Sequence, residues 1–162
     1  MKKIVSLIST AYGWLNCGAS LLQSPLLLIM RLYWGWSFFQ SGSGKLFKNF
    51  DRTVGFFTEL GLPLPKIQVL MAGSTECFGG LLLALGLGSR LVSIPLAFTM
   101  VVAYVTADRE SLNAIFSDTD KFTGAAPFLF LLTALIVLAF GPGAFSLDWL
   151  ISKKCCCKKA DA

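Results

Sequence analysis

No histidine occurs in the 162 residues of this chain, which removes His-ligated haem, any His-containing zinc site and every Ser-His or Cys-His nucleophile. Charge is scarce as well. Asp, Glu, Lys and Arg make up 14% of the residues, against roughly a quarter in soluble domains, which excludes an ordinary soluble domain. Nor do the five cysteines make a disulfide framework: Cys155, Cys156 and Cys157 are adjacent, and Cys17 and Cys77 stand alone in apolar sequence. There is no C-x-x-C pair for thiol exchange, and adjacent cysteines rarely close a disulfide without backbone distortion. The run is read as a reduced tail. Soft-metal capture by Cys155, Cys156 and Cys157, or lipidation, stays as the alternative, and no other metal site is expected.

What is present is hydrophobic. Apolar residues make up 55% of the chain, 14 of them Phe, and the mean hydropathy is +0.69, the composition of a chain whose solvent is lipid. Four segments can cross a hydrocarbon core of about 30 Å, which takes about 20 helical residues: Leu21 to Ser43, Ile67 to Gly88, Ser89 to Ala107 and Gly124 to Phe145. The second and third form an antiparallel hairpin, with Gly86 and Gly88 ending one helix and Arg90 opening the next. In the first connection Phe50, Val54, Phe57 and Leu60 share a helical face opposite Asp51, Arg52 and Glu59. A short amphipathic helix is expected there, stopped by Gly61-Leu62-Pro63. In the third connection Leu112, Ile115 and Phe116 are expected to pack on the bundle while Asp118, Asp120 and Lys121 stay wet.

Residues 1–20 read as an interfacial helix, with Ile4, Ile8, Ala11, Tyr12 and Leu15 on one face. The competing reading is a secretory signal with Lys2 and Lys3 as its basic region. Ser6, Ser9 and Thr10 interrupt its apolar stretch, and no convincing small-residue cleavage site follows. The expected fold class is thus an all-α membrane protein. It comprises an amino-terminal interfacial helix (1–20), a bundle of four transmembrane helices (21–150) with the amphipathic helix between spans 1 and 2, and a basic Cys-rich tail (151–162).

The net charge of +5 does not point to nucleic acid, because the basic residues sit at the ends of apolar segments. The bilayer is the expected partner. An even number of spans puts Lys2, Lys3, Arg90 and the tail lysines Lys153, Lys154, Lys158 and Lys159 on one side. Lys45, Lys48, Arg52, Lys66, Arg109 and Lys121 fall on the other. The totals are close, and the tail cluster places both termini in the cytoplasm.

Candidate chemistry lies within the spans. Arg31, Gly35, Phe38, Gly42 and Lys45 follow one another at spacings of four, three, four and three, a single helical stripe that faces protein. A cation inside a span costs about 2.5 to 3.5 kcal/mol at the bilayer centre and normally has a partner, a water cavity or a route to the headgroups. Glu76, on a stripe with Ala72 and Gly80, is the expected partner of Arg31. The two either neutralise each other, with Gly35 and Gly80 allowing close helix approach, or line a polar pocket for a quinone, a small anion or protons. Snorkelling of Arg31 to the headgroups is the third alternative. The pocket reading takes Arg31, Gly35, Lys45, Glu76 and Gly80 together, although Lys45 at the outer end also suits a headgroup anchor. No catalytic residue is assigned, and Cys77 reads as a packing residue.

In order along the chain stand Arg31-Leu-Tyr-Trp-Gly35 running on through Phe38-Phe39 and Gly42 to Lys45, then Phe56-Phe57 leading into Gly61-Leu-Pro63. Glu76-Cys-Phe-Gly79-Gly80, Gly86-Leu-Gly88-Ser-Arg90, Phe140-Gly-Pro-Gly143 and Ser146-Leu-Asp148 follow. This ordered set, over roughly residues 25 to 150, resembles the DoxX family of small four-helix bacterial and archaeal membrane proteins. One relative in that family is a subunit of an archaeal thiosulfate:quinone oxidoreductase, and others resemble membrane partners of proteins that handle thiol and oxidative stress. The resemblance implies a multi-pass protein of the bacterial inner membrane that is not an enzyme on its own. It would anchor or assist a thiol- or quinone-linked redox system, with quinone as the cofactor to consider. Soluble or membrane redox proteins are the implied partners, and homo-oligomerisation stays open. Two alternatives stand beside it: a small carrier for an anion or protons, and a ligand-free structural or assembly partner. The first reading expects a cavity open sideways to lipid, the second a polar path to both surfaces, the third a dry, filled bundle.

Overall fold

The computed structural model describes the backbone of residues 2–160 and the side chains of residues 12–14 and 18–153. The Cys155 to Cys157 side chains, and those of Ile4, Ile8, Ala11 and Leu15, lie outside the described residues. Every regular element among the described residues is helical. The order is α1 (Lys2–Ser43), a π-helical turn (Gly44–Lys48), α2 (Phe50–Glu59), α3 (Pro65–Leu85), α4 (Ser89–Thr106), α5 (Arg109–Asn113), α6 (Thr119–Gly124), α7 (Ala126–Phe140) and α8 (Leu147–Ala160). Three of them, α1, α3 and α4, are long and apolar enough to cross a membrane, and α7 is a shorter apolar helix.

Two boundaries differ from the expected ones. The break placed after Ser20 does not exist, because α1 runs unbroken for 42 residues, about 63 Å at 1.5 Å per residue. Neither Gly13 nor Gly18 takes the left-handed conformation that would end it. At the other end α7 has 15 residues, about 22 Å, and stops at Phe140 instead of continuing to Phe145. There Gly141 (φ 79°) and Gly143 (φ 77°) turn the chain. The non-helical stretch after them folds back on the bundle, where the amide of Ala144 donates to Ser24 Oγ at 3.3 Å.

The stripe on α1 faces protein as its spacing requires: Leu27, Arg31, Gly35, Phe38 and Gly42 are buried. On α3 the buried set is Val69, Gly73, Glu76, Cys77, Gly79, Gly80 and Leu83, again a three-four repeat. The two stripes cross with backbone against backbone. A Cβ on Gly80 would come within 2.6 Å of Gly35 O, and one on Gly42 would collide with the amide nitrogen of Cys77. Small residues let helices pack this closely where burial from lipid supplies no hydrophobic drive. Gly42→Ala should therefore destabilise the bundle by about 2 kcal/mol, since helical backbone cannot yield as a side chain would. Gly44→Ala, whose Cβ meets nothing within 4 Å, serves as the control. Thermal unfolding of both variants in mild detergent reads the difference, and equal melting temperatures would exclude the close crossing.

Phe38 and Leu83 carry the crossing into a core completed by Leu96, Ala97 and Met100 of α4 and Ala134 and Val137 of α7. Phe130 meets the Phe38 ring edge-on at 4.6 Å. The hairpin turn forms as expected: the amides of Gly86 and Leu87 donate to Leu83 O (3.1 Å) and Leu82 O (3.0 Å), with Gly86 left-handed at φ 73°. This is a Schellman ending. The amphipathic helix α2 also forms, with Phe50, Val54 and Phe57 inward and Asp51, Arg52 and Glu59 exposed. Phe116, expected against the bundle, is instead 96% exposed. It lies in the turn between α5 and α6, where the chain reverses and its side chain has no helical face to join.

Candidate functional site

The antiparallel register of α1 on α3 decides which charges meet. Gly42 lies against Gly73 and Cys77, and Gly35 against Gly80 and Ala84, so each step up α1 is a step back along α3. On that register the end of α1 faces Glu76, and Arg31 faces the Gly86 turn. The expected Arg31–Glu76 pair accordingly does not form. Residue spacing within each helix carries no information on how the two helices are aligned.

The partner of Glu76 is Lys45. Its ammonium donates to Oε1 at 2.6 Å and to Oε2 at 2.7 Å, while Ser41 Oγ donates to Oε2 at 2.9 Å. Glu76 is 1% exposed and the Lys45 side chain 31%, so the carboxylate is fixed inside the protein and the ammonium reaches outward. Lys45 stands in the π-helical turn, where the wider winding changes the direction of the side chains after Gly44. Such turns recur at functional sites. Sequence reasoning missed Ser41, although its place one helical turn before Lys45 is a signal that a shared acceptor could have used.

Arg31, fully buried, sits at the opposite end, fourteen residues and about 21 Å away along α1. Its Nη2 donates to the carbonyl of Phe145 at 2.5 Å. Gly86 leaves room for the guanidinium, since a Cβ there would collide with Arg31 Nη1. The acid whose charge acts on Arg31 is Asp148, which holds the neighbouring turn. Asp148 Oδ1 accepts from the amide of Gly88 at 2.7 Å, Oδ2 accepts from the amide of Ser89 at 3.0 Å, and its own amide donates to Gly86 O at 3.0 Å. A carboxylate at the amino end of α4 satisfies orphan amides and suits the helix dipole. Before folding, the sequence holds no mark that an acid 60 residues away would cap α4.

Of the five residues taken together as a pocket, two line the cavity: Lys45 and Glu76. Gly35 and Gly80 form the α1–α3 contact, and Arg31 belongs to the Asp148 end. The cavity measures about 840 Å³ and lies between α3 and α4 under α2, within the size range of small-molecule pockets. Its walls include Met71 and Phe98, which are 65% and 69% exposed, so it opens on the outer face of the α3–α4 pair. Lys45 and Glu76 form a charged pair in its wall, to which Asn49 and Arg52 of the α2 region also contribute. An ammonium has three N–H donors. Two are directed at Glu76, which leaves a third for an acceptor oxygen in the cavity.

No solved structure matches this chain. Among curated proteins it is 32% identical over 126 residues to a Bacillus subtilis protein named "Putative oxidoreductase CatD", covering 78% of this chain and 87% of that one. An uncharacterised membrane protein of Mycobacterium tuberculosis is 30% identical over 136 residues, 80% of this chain and 83% of its own length. An uncharacterised protein of Haemophilus influenzae is 28% identical over 135 residues, 78% and 83% of the two chains. The DoxX family model matches residues 26–109, from just before Arg31 to the end of α4, and so includes the α1–α3 crossing and both members of the Lys45–Glu76 pair. With more than half of its length matched by the family model and a relative 32% identical over 78% of the chain, this membrane protein belongs to the DoxX family.

Proposed function

We propose that the chain is an integral membrane subunit of the bacterial inner membrane, with both termini in the cytoplasm. It takes up a lipophilic molecule of quinone size sideways from the bilayer, and by holding it anchors or assists a redox system. The observation that carries this reading is the cavity open on the α3–α4 face, with Lys45 and Glu76 in its wall. Apolar walls suit a ring and tail, and the spare Lys45 proton suits a carbonyl oxygen. The name of the Bacillus subtilis relative points to redox chemistry, and the tail lysines support the orientation. A carrier fits less well. Among the described residues the buried hydroxyls beside the Phe38, Leu83, Leu96, Ala134 and Val137 core, those of Ser93 and Thr133, donate to carbonyls of their own helices, Ser89 O and Leu129 O, which does not favour a continuous polar path. A ligand-free partner fits less well because the bundle is not filled at the α3–α4 face.

Purified protein in mild detergent should bind a short-chain quinone saturably, read as quenching of tryptophan fluorescence, and organic extracts should contain a stoichiometric lipophile. Thr75→Trp, at a residue that lines the cavity, should weaken binding at least about tenfold, equivalent to about 1.4 kcal/mol. Arg31→Lys, at the other end of the bundle, should leave binding unchanged. Non-saturable quenching, or binding indifferent to Thr75→Trp, would remove the pocket from the proposal.

A further inference from the structure

The helix α8 stands apart from the cavity and has no part in the reading above. Its first turn is tied to the bundle through Asp148, which grips the amides of Gly88 and Ser89. The start of α8 is therefore level with the α3–α4 turn, where two membrane-length helices end. From there α8 leaves the bundle. Leu147, Leu150 and Ile151 are exposed at spacings of three and four, which places them on one helical face. Trp149, two residues after Leu147 and so on the opposite face, is exposed as well, with the Lys153 ammonium 4.8 Å from its ring centroid, the pairing of an interfacial aromatic with a cation. The helix continues to Ala160 through Lys153, Lys154, Lys158 and Lys159, and the acid it contains, Asp148, is committed to α4.

We propose that α8 is a surface anchor that recognises anionic phospholipid headgroups of the bilayer in which the chain sits. Its apolar residues enter the acyl boundary and its lysines meet the headgroup charge. Three observations converge on this occupant. An apolar face next to the end of a membrane-spanning hairpin is at the depth of the interface. The basic residues follow it on the same helix, beginning with Lys153 two residues after Ile151. No uncommitted acid on α8 offsets them. Neutral lipid matches the apolar residues alone, whereas an anionic surface matches both parts.

The test uses the full chain in nanodiscs of pure phosphatidylcholine and in nanodiscs of equal parts phosphatidylcholine and phosphatidylglycerol, read by amide hydrogen exchange. Amides of residues 150–160 should exchange about tenfold more slowly in the anionic discs, and high salt should erase the difference. The combined Lys153→Gln, Lys154→Gln, Lys158→Gln and Lys159→Gln variant should lose the protection while α3 and α4 exchange as in the parent, which certifies the fold. Equal exchange in the two lipids overturns the proposal. So does protection that survives in the four-Gln variant, or protection that arises only on addition of an acidic protein.

Discussion

Replacing Lys45 by methionine should cost about 3 kcal/mol of stability, well above the roughly 1 kcal/mol expected for Glu76→Gln, although both changes break the same ion pair. The asymmetry follows from burial. Glu76 is 1% exposed, so loss of Lys45 strands a carboxylate inside the protein with Ser41 as its remaining hydrogen-bond partner. Lys45 is 31% exposed and reaches the cavity and its rim, so loss of the Glu76 charge leaves an ammonium that water or headgroups can serve. In the double variant no charge is stranded, and its cost should fall short of the sum of the singles by about 2 kcal/mol. Pairing Glu76→Gln with Arg31→Lys should instead give additive costs within about 0.5 kcal/mol, because the two sites share no partner. Unfolding free energies of the parent and the five variants in one detergent read both cycles. Additivity for Lys45 and Glu76, or coupling for Arg31 and Glu76, would reverse the assignment of partners.

Asp148→Ala should be comparably damaging, about 3 kcal/mol, although Asp148 lies outside the stretch that the family model matches. Two costs add. The amides of Gly88 and Ser89 lose their acceptor at the start of α4, and loss of such a cap costs about 1 to 2 kcal/mol. Arg31, fully buried with one hydrogen bond to the Phe145 carbonyl, loses the negative charge that acts on it, and a buried charge without compensation is costly. Asp148→Asn should fall between the two proteins, since an amide oxygen can keep one of the two bonds but brings no charge. Melting temperature and hydrogen exchange at the start of α4 measure the effect. A variant as stable as the parent, with α4 amides equally protected, would mean that the carboxylate is incidental to the turn.

These expectations differ from the sequence reading at particular places. The α1 stripe of Arg31, Gly35, Phe38 and Gly42 was legible because helical periodicity is a property of one segment, and the structure buries all four residues. The amphipathic α2, with Phe50, Val54 and Phe57 inward, was legible for the same reason, as was the Gly86–Gly88 turn, where left-handed φ angles call for glycine. The start of the first span and the end of the fourth were less so. Gly18 and Pro25 resemble helix breakers, yet α1 passes through both, because local propensity is weak against continuation of an already formed helix.

An all-helical membrane chain, the inward stripe of α1, and charges in the spans that require partners were all legible in the amino-acid order. Periodicity, hydropathy and glycine chemistry act over a few residues, and these features follow from them, whereas the family was legible through resemblance of an ordered set of motifs. The tertiary structure alone decided that Glu76 belongs to Lys45 and Ser41, that Arg31 belongs to the Phe145 carbonyl and the Asp148 turn, and that a lateral cavity lies between α3 and α4. Each depends on the alignment of one helix against another, and that alignment is set where the glycines of α1 and α3 let the two backbones touch. A shift of one helical turn at that contact, about 5.4 Å, would preserve every periodicity in the chain and give each buried charge a different neighbour.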